Sequence, residues 1–364
     1  MSQPSYEYPH VEIDLGKLKE NLAALQERCQ ASSIGLSGVV KGFHALPEAV
    51  KVYEEVGVSS IASSRMDQLR GLKEAGIQTP LMLIRIPMPS EVEEVVTWSD
   101  ISLNSELSVL RLLNEAAESQ GKIHKVILMV DLGDLREGFW DWDELVDAAL
   151  EVERHLPNLE LLGVGTNLGC YGSIQATPEK MHDLVAAAEQ VEKAIGRKLE
   201  VISGGASSSL HMVLDGTMPP RINHLRVGEG ILLGSIWGCN MDFMHKDIMV
   251  LRAQVIESKV KPSHPVGELS VDAFGRTRTY VDRGHRLRCL LAMGRVDYGE
   301  SDDLIPREPG IKVLGASSDH TILDVEGASR RLKTGDVLEF DLCYATMVYL
   351  TGSKSVHIYY KKET

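Results

Sequence analysis

Lys41 closes the short apolar run "GLSGVVK" (35–41), so a strand that reads as buried delivers an ammonium to its end. Desolvation lowers a lysine pKa and frees the neutral amine, the form that attacks a carbonyl to make a Schiff base. From position alone, a lysine that snorkels out to water is an equal alternative. Two Gly-rich stretches supply complementary chemistry. "SGGASSS" (203–209) and "RVGEG" (226–230) combine backbone that a ligand can approach closely with the hydroxyls of Ser207 and Ser208, a combination suited to phosphate. Other short apolar runs also end on polar residues: Arg65, Arg85, Asn104, Asp131 with Arg136 just beyond, Asn167 and Arg226. A mainly basic ring in a chain of net charge −14 suits an anionic ligand. Arg65 and Arg85 equally suit salt bridges near loops, and Asn104 suits a helix cap.

These residues need a frame that brings strand ends together. Up to about residue 235, short β-rich runs alternate with segments of helical period, the pattern of βα units around a parallel sheet. The strand candidates are 35–41, 59–64, 80–85, 101–105, 125–133, 159–168, 200–207 and 224–234. The clearest helices are 14–29 and 176–196, the latter with Thr177 as N-cap, Pro178 at the first position and Gly196 past the end. Eight strands in one rhythm predict a (β/α)₈ TIM barrel, which takes about 250 residues and carries its active site at the C-terminal strand ends. A doubly wound open sheet fits less well, since no G-x-G-x-x-G follows the first strand. Beyond residue 245 the texture becomes strand-like with Gly, Pro and Asp turns, which predicts an all-β domain of about 120 residues. The expected domains are therefore 1–245 and 246–364, an α/β fold with an appended all-β domain.

Composition narrows the function classes. The acidic balance disfavours nucleic acid as partner, and no apolar run approaches the ~18–20 residues of a membrane helix. The first ten residues, "MSQPSYEYPH", have no basic or apolar signal regions, so a cytoplasmic location is expected. Cys29, Cys170, Cys239, Cys289 and Cys343 are odd in number and widely spaced, without a C-x-x-C. A disulfide framework or thiolate metal site is not expected, and each reads as a small buried hydrophobe.

Taken in order, "VVKGF", "ILMVDLGDLREG", "GVGTNLGCYG", "ISGGASSSL", "LRVGEGILLG" and "LGASSDHTILDV" resemble the alanine racemase-like family, most of all its ornithine racemase branch. The resemblance spans nearly the whole chain. It implies a pyridoxal 5'-phosphate (PLP) enzyme that interconverts the L and D forms of a free amino acid, ornithine or a related basic or polar one. It also implies a homodimer in which each β domain completes its partner's site. By position, Lys41 matches the lysine that holds PLP and serves as one base. Arg136 matches the arginine near the cofactor's phenolic oxygen and the substrate carboxylate. Asn167 falls where alanine racemases have a histidine, and Ser207, with Ser208 beside it, matches the phosphate-binding serine. Arg226 matches the arginine that donates to the pyridine nitrogen, and Gly228 begins the phosphate-binding turn that includes Glu229. An arginine keeps its proton, so the ring nitrogen stays unprotonated and side reactions are restrained.

Racemisation calls for a base on each face of Cα, and Lys41 covers one. The family's second base is a tyrosine from the partner's β domain, in a stretch resembling "AFGRTRTY" (273–280). That slot holds Phe274, leaving His44, Tyr280, Tyr298, Asp319 and His320 as candidates. The same fold also carries PLP-dependent decarboxylases, D-amino-acid aldolases and dehydratases, and non-catalytic PLP-binding proteins, so fold does not fix the reaction.

Overall fold

The computed structural model describes residues 6–236, 241–272, 274–277 and 279–362. The first strand, β1 (His10–Asp14), leads into a helix, Leu15–Ala31, and eight short parallel strands follow. They are β2 (Gly35–Val39), β3 (Ser60–Ser63), β4 (Leu81–Leu83), β5 (Ile101–Asn104), β6 (His124–Met129), β7 (Leu159–Gly165), β8 (Val201–Ser203) and β9 (His224–Val227). Each pairs with the next, and β9 pairs back onto β2 to close the barrel. All eight expected strands are present, each ending earlier than its apolar run. The helix expected over 176–196 forms as Pro178–Ile195, with the Thr177 side chain accepting from the Lys180 amide and Gly196 in the left-handed conformation.

The barrel interior has two characters. Val39, Ala62, Met82, Leu103, Ile127, Met129 and Leu162 form a buried apolar cluster drawn mainly from β2 to β7. Strands β8, β9 and β2 also bury a polar set: Ser37, Ser203, His224 and Arg226. Burial of strands on both faces explains why they read as near-continuous apolar runs.

Lys17–Lys246 forms one compact unit, and Met1–Gly16 with Asp247–Thr364 forms another. Residues 1–16 therefore do not belong to the barrel, as the expected boundary of 1–245 assumed. The reason is pairing: β1 runs antiparallel to β10 (Met249–Pro262) and parallel to β16 (His357–Lys361). Asp14 adds an ion pair with Lys361 at 2.8 Å. The remaining strands of this unit are β11 (His285–Leu291), β12 (Ile305–Pro306), β13 (Lys312–Ala316), β14 (Thr321–Asp324) and β15 (Val337–Asp341), paired in the order β12-β15-β10-β11-β14-β13.

The unit is the expected sheet domain, and it also holds a helix, Tyr344–Gly352. Thr346 Oγ1 accepts from the Cys343 amide at 3.0 Å to start it, and Thr346, Met347, Leu350 and Thr351 are its buried residues. Its Tyr, Thr and Val content disguises it as strand. Of the cysteines, Cys29 and Cys289 are buried as expected, but Cys170 is exposed and Cys343 half-buried. Cys239 lies outside the described residues. No helix among the described residues is long and apolar enough to cross a membrane.

Candidate active site

Lys41 follows β2 by two residues and opens a single 3₁₀ turn, Lys41–Phe43. Burial holds its pKa below the ordinary lysine value, and Arg136 lowers it further; Cys170 and Glu137 act the other way, and Arg226 lowers it again. The same four groups thus converge on Lys41 from the ends of β6, β7 and β9. Arg226 is fully enclosed, and burial brings it down to about 10, so it remains charged at neutral pH.

Arg226 is fixed from behind. One amino group donates to the Ser203 hydroxyl and the other to the Thr166 carbonyl at 2.7 Å. Ser203 Oγ in turn meets His224 Nδ1 at 2.8 Å, and His224 Nε2 meets Ser37 Oγ at 2.7 Å. Burial, with Arg226 second, pushes His224 down to about 3, so the ring is neutral. Neutrality matters, because a charged imidazole would repel the guanidinium it helps to hold. Sequence reading missed His224 and Ser203, whose only signal was polarity inside a strand run.

Two loops carry the next layer. After β6, residues 131–138 form a closed loop whose base is tied by Phe139 to Met129 and Asp131. Gly138 (φ +136°) is required there: a Cβ would lie 2.4 Å from the Asp131 nitrogen. Asp134, buried within this loop, accepts from the amides of Gly169, Cys170, Tyr171 and Ile174 at 3.0–3.3 Å. It thereby pins the loop after β7 to the loop after β6. Asp134 was also missed, since nothing in "DLGDLREG" tells which amides its carboxylate will reach.

Arg136 does not point at an empty site. Its Nε and one Nη donate as a fork to both oxygens of Glu137, a carboxylate that is 15% exposed. Asn167 sits at the same mouth with its Nδ2 buried and unpartnered. Ser207 Oγ accepts from the amides of Gly228 (3.4 Å) and Gly230 (3.2 Å). Gly228 packs on β2, where a Cβ would come within 3.0 Å of Val39. Ser208 departs from its expected place: its hydroxyl donates to the Leu168 carbonyl at 2.9 Å, bracing the β7 loop instead. Glu229 follows Gly228, and burial raises its carboxyl pKa. Arg85 takes the bland alternative, paired with Glu91 at 2.7 Å.

The second-base candidates are scattered. His44 is an exposed left-handed residue (φ +52°) capping the turn that begins at Lys41; burial lowers its pKa and Asp67 opposes this. In the β unit, Phe274 is partly exposed, with the Arg295 guanidinium 4.6 Å from its ring centre. Phe274 and Tyr280 line a cavity of about 650 Å³ that also includes Arg283, Arg288, Asp272 and Asp324. Asp319 and His320 are exposed on the turn between β13 and β14. Tyr298 has to be withdrawn. It is completely buried, and Thr321 Oγ1 already donates to the Met293 carbonyl, so the tyrosine hydroxyl donates to Thr321 at 2.7 Å. Burial also raises its pKa, which disfavours the phenolate a base requires.

The residues present fit PLP. A half-buried lysine for the carbonyl carbon, a locked guanidinium, an unpartnered amide donor and a Ser/Gly cradle for phosphate all lie at the C-terminal strand ends of one barrel. Residues 13–235 match the family described as "Alanine racemase, N-terminal domain". An ornithine racemase of Acetoanaerobium sticklandii is 40% identical over 353 residues, covering 96% of this chain and 98% of that protein. A lysine racemase of Thermotoga maritima is 36% identical over 356 residues, covering 97% and 99%. Among solved structures, the alanine racemase from Streptomyces lavendulae superposes with a TM-score of 0.76 at 19% identity, over 99% of each chain. With a barrel, a strand-end lysine and full-length relatives in agreement, the chain belongs to the alanine racemase family.

Proposed function

We propose that the protein racemises a free amino acid with a basic side chain, ornithine or lysine, using PLP bound through Lys41, and that it works as a homodimer in the cytoplasm. The single observation that carries this reading is the convergence of Lys41, Arg136 and Arg226 at one barrel mouth. The near-complete coverage of an ornithine and a lysine racemase supports the substrate class.

When bound, PLP supplies a sink for the electrons left at Cα once its proton is removed. The chain does the rest. Lys41, held below its ordinary pKa by burial and by Arg136, presents a neutral amine that can take a proton at Nζ from one face of Cα. Arg226 would hold the pyridine nitrogen; locked by Ser203 and Thr166, it cannot release a proton there near neutral pH. Ser207 with the Gly228 and Gly230 amides would hold the phosphate, and Asn167 Nδ2 would face the ring. Arg136 would orient the α-carboxylate once Glu137 releases it.

A base on the opposite face would come from His44 or, in a dimer, from Tyr280, Asp319 or His320 of the partner's β unit. Decarboxylase, aldolase and dehydratase readings are not favoured, since the relatives that match from end to end carry racemase names. The test follows optical rotation of L-ornithine and L-lysine with PLP-loaded protein in D₂O. Loss of rotation with one deuterium at Cα supports racemisation; release of CO₂ or cleavage of the side chain overturns it.

A further inference from the structure

Arg136 and Arg226 stand near enough to Lys41 at the barrel mouth for their positive charges to act on it and on each other, so a substrate with a second ammonium would add a further cation to a basic site. Among the described groups whose charge acts on both Lys41 and Arg226, Glu137 is the one carboxylate. Its position is built rather than adventitious. Gly138 beside it tolerates no Cβ, and the loop base is bridged between Val130 and Phe139.

Glu137 occupies the Nε edge of Arg136 as a two-point fork, which is the edge and geometry that a carboxylate ligand seeks. An α-carboxylate that takes this edge displaces Glu137 and leaves it beside a like charge. A neutral amino acid does nothing to relieve that repulsion. A basic amino acid does, because it brings an ammonium of its own. The substrate then inserts into an existing ion pair, exchanging one Arg–carboxylate contact for another and supplying Glu137 with a new cation.

We propose that Glu137 is the specificity-determining residue that selects a cationic side chain, by giving up Arg136 to the substrate's α-carboxylate and accepting its distal ammonium. This deepens the proposed function and rests on it. It also accounts for a buried-edge carboxylate next to three basic groups, which a neutral substrate would not require.

The test compares L-ornithine with L-norvaline, which keeps the carbon chain and lacks the distal amine. Dissociation constants are read from the absorbance change of PLP-loaded enzyme on titration, independently of turnover, for wild type, Glu137→Gln and Glu137→Asp. Wild type should prefer ornithine. In Glu137→Gln ornithine binding should weaken by about 10–100-fold, the range for a lost charge-assisted hydrogen bond, while norvaline binding holds or improves. Glu137→Asp should recover part of the preference, which a merely misfolded loop would not. Equal losses for both ligands would overturn the proposal, because Glu137 would then act only through Arg136. An unchanged preference overturns it as well. If wild type binds neither amino acid, the racemase reading itself falls and takes this inference with it.

Discussion

The barrel mouth and the turns of the β unit both carry side chains capable of acid–base chemistry, yet they hold them in different ways. At the mouth each group is braced by a second. Arg226 is held by Ser203 and Thr166, Arg136 by Glu137, and the two carrying loops by the buried Asp134. In the β unit Asp319 and His320 stand exposed on a turn, and Tyr280 meets His264 edge-on at 6.0 Å. The one tyrosine that is firmly held, Tyr298, is held in the core. Under the proposed function, the barrel unit would supply a braced set of groups, whereas those of the β unit would still need to be organised.

The largest effect belongs to the mouth. Lys41→Ala should lower racemisation by at least about 10⁴-fold, since it removes both the attachment point for PLP and one base. Circular dichroism should show the fold intact. Borohydride treatment of PLP-loaded wild type, followed by peptide mapping, should find the pyridoxyl group on Lys41. Recovery on a different lysine would erase the distinction between the two regions.

Next come the second-base candidates, His44 in the barrel unit and Tyr280, Asp319 and His320 in the β unit. A base confined to one face has a directional signature: its loss slows Cα exchange from one enantiomer far more than from the other. His44→Gln, Tyr280→Phe, Asp319→Asn and His320→Gln should be assayed for deuterium exchange from D and L substrates separately. The variant that removes the base should show an asymmetry of about 10²–10⁴-fold. Tyr298→Phe should show none. Its expected effect is a stability loss of about 1 kcal/mol from one buried hydrogen bond, measured by urea unfolding.

The same contrast governs what the sequence disclosed. Lys41, Ser207 and Arg226 were legible because a polar residue ending an apolar run marks the mouth of a barrel. Asp134, Glu137, Ser203 and His224 were not, because their partners are chosen by how two loops or two strands meet. The strand "HVEID" was missed because its partner strands begin at Met249 and His357, far along the chain. The helix at Tyr344–Gly352 was missed because β-branched and aromatic residues read as strand until a cap is seen to start a turn.

A smaller effect is expected at Asp134, which binds no ligand in this scheme. Asp134→Ala leaves four amides without their acceptor and unpins the loop after β7. A stability loss of about 2–4 kcal/mol should follow, with a rise in KM larger than the fall in kcat, since the loop positions binding groups rather than the base. Asp134→Asn should recover part of it, because its one carbonyl oxygen still accepts. A variant with wild-type stability and KM would mean that the mouth is not braced through this residue.

The smallest effect is a shift along the pH axis. PLP uptake by the unloaded protein requires the neutral amine of Lys41, so its rate should rise with pH and level off once that amine is deprotonated. Burial and Arg136 lower the Lys41 pKa, so the plateau should arrive below the pH at which an ordinary lysine deprotonates. Glu137 opposes that shift, because its negative charge favours the ammonium. Removing the charge in Glu137→Gln should therefore move the midpoint further down, so that at a fixed pH below it the variant takes up PLP faster than wild type. The sign is opposite to that of its ornithine binding, which should weaken. A midpoint that stays put, or moves up, would mean that Glu137 does not act on Lys41 and that the four groups at the mouth are not one electrostatic unit.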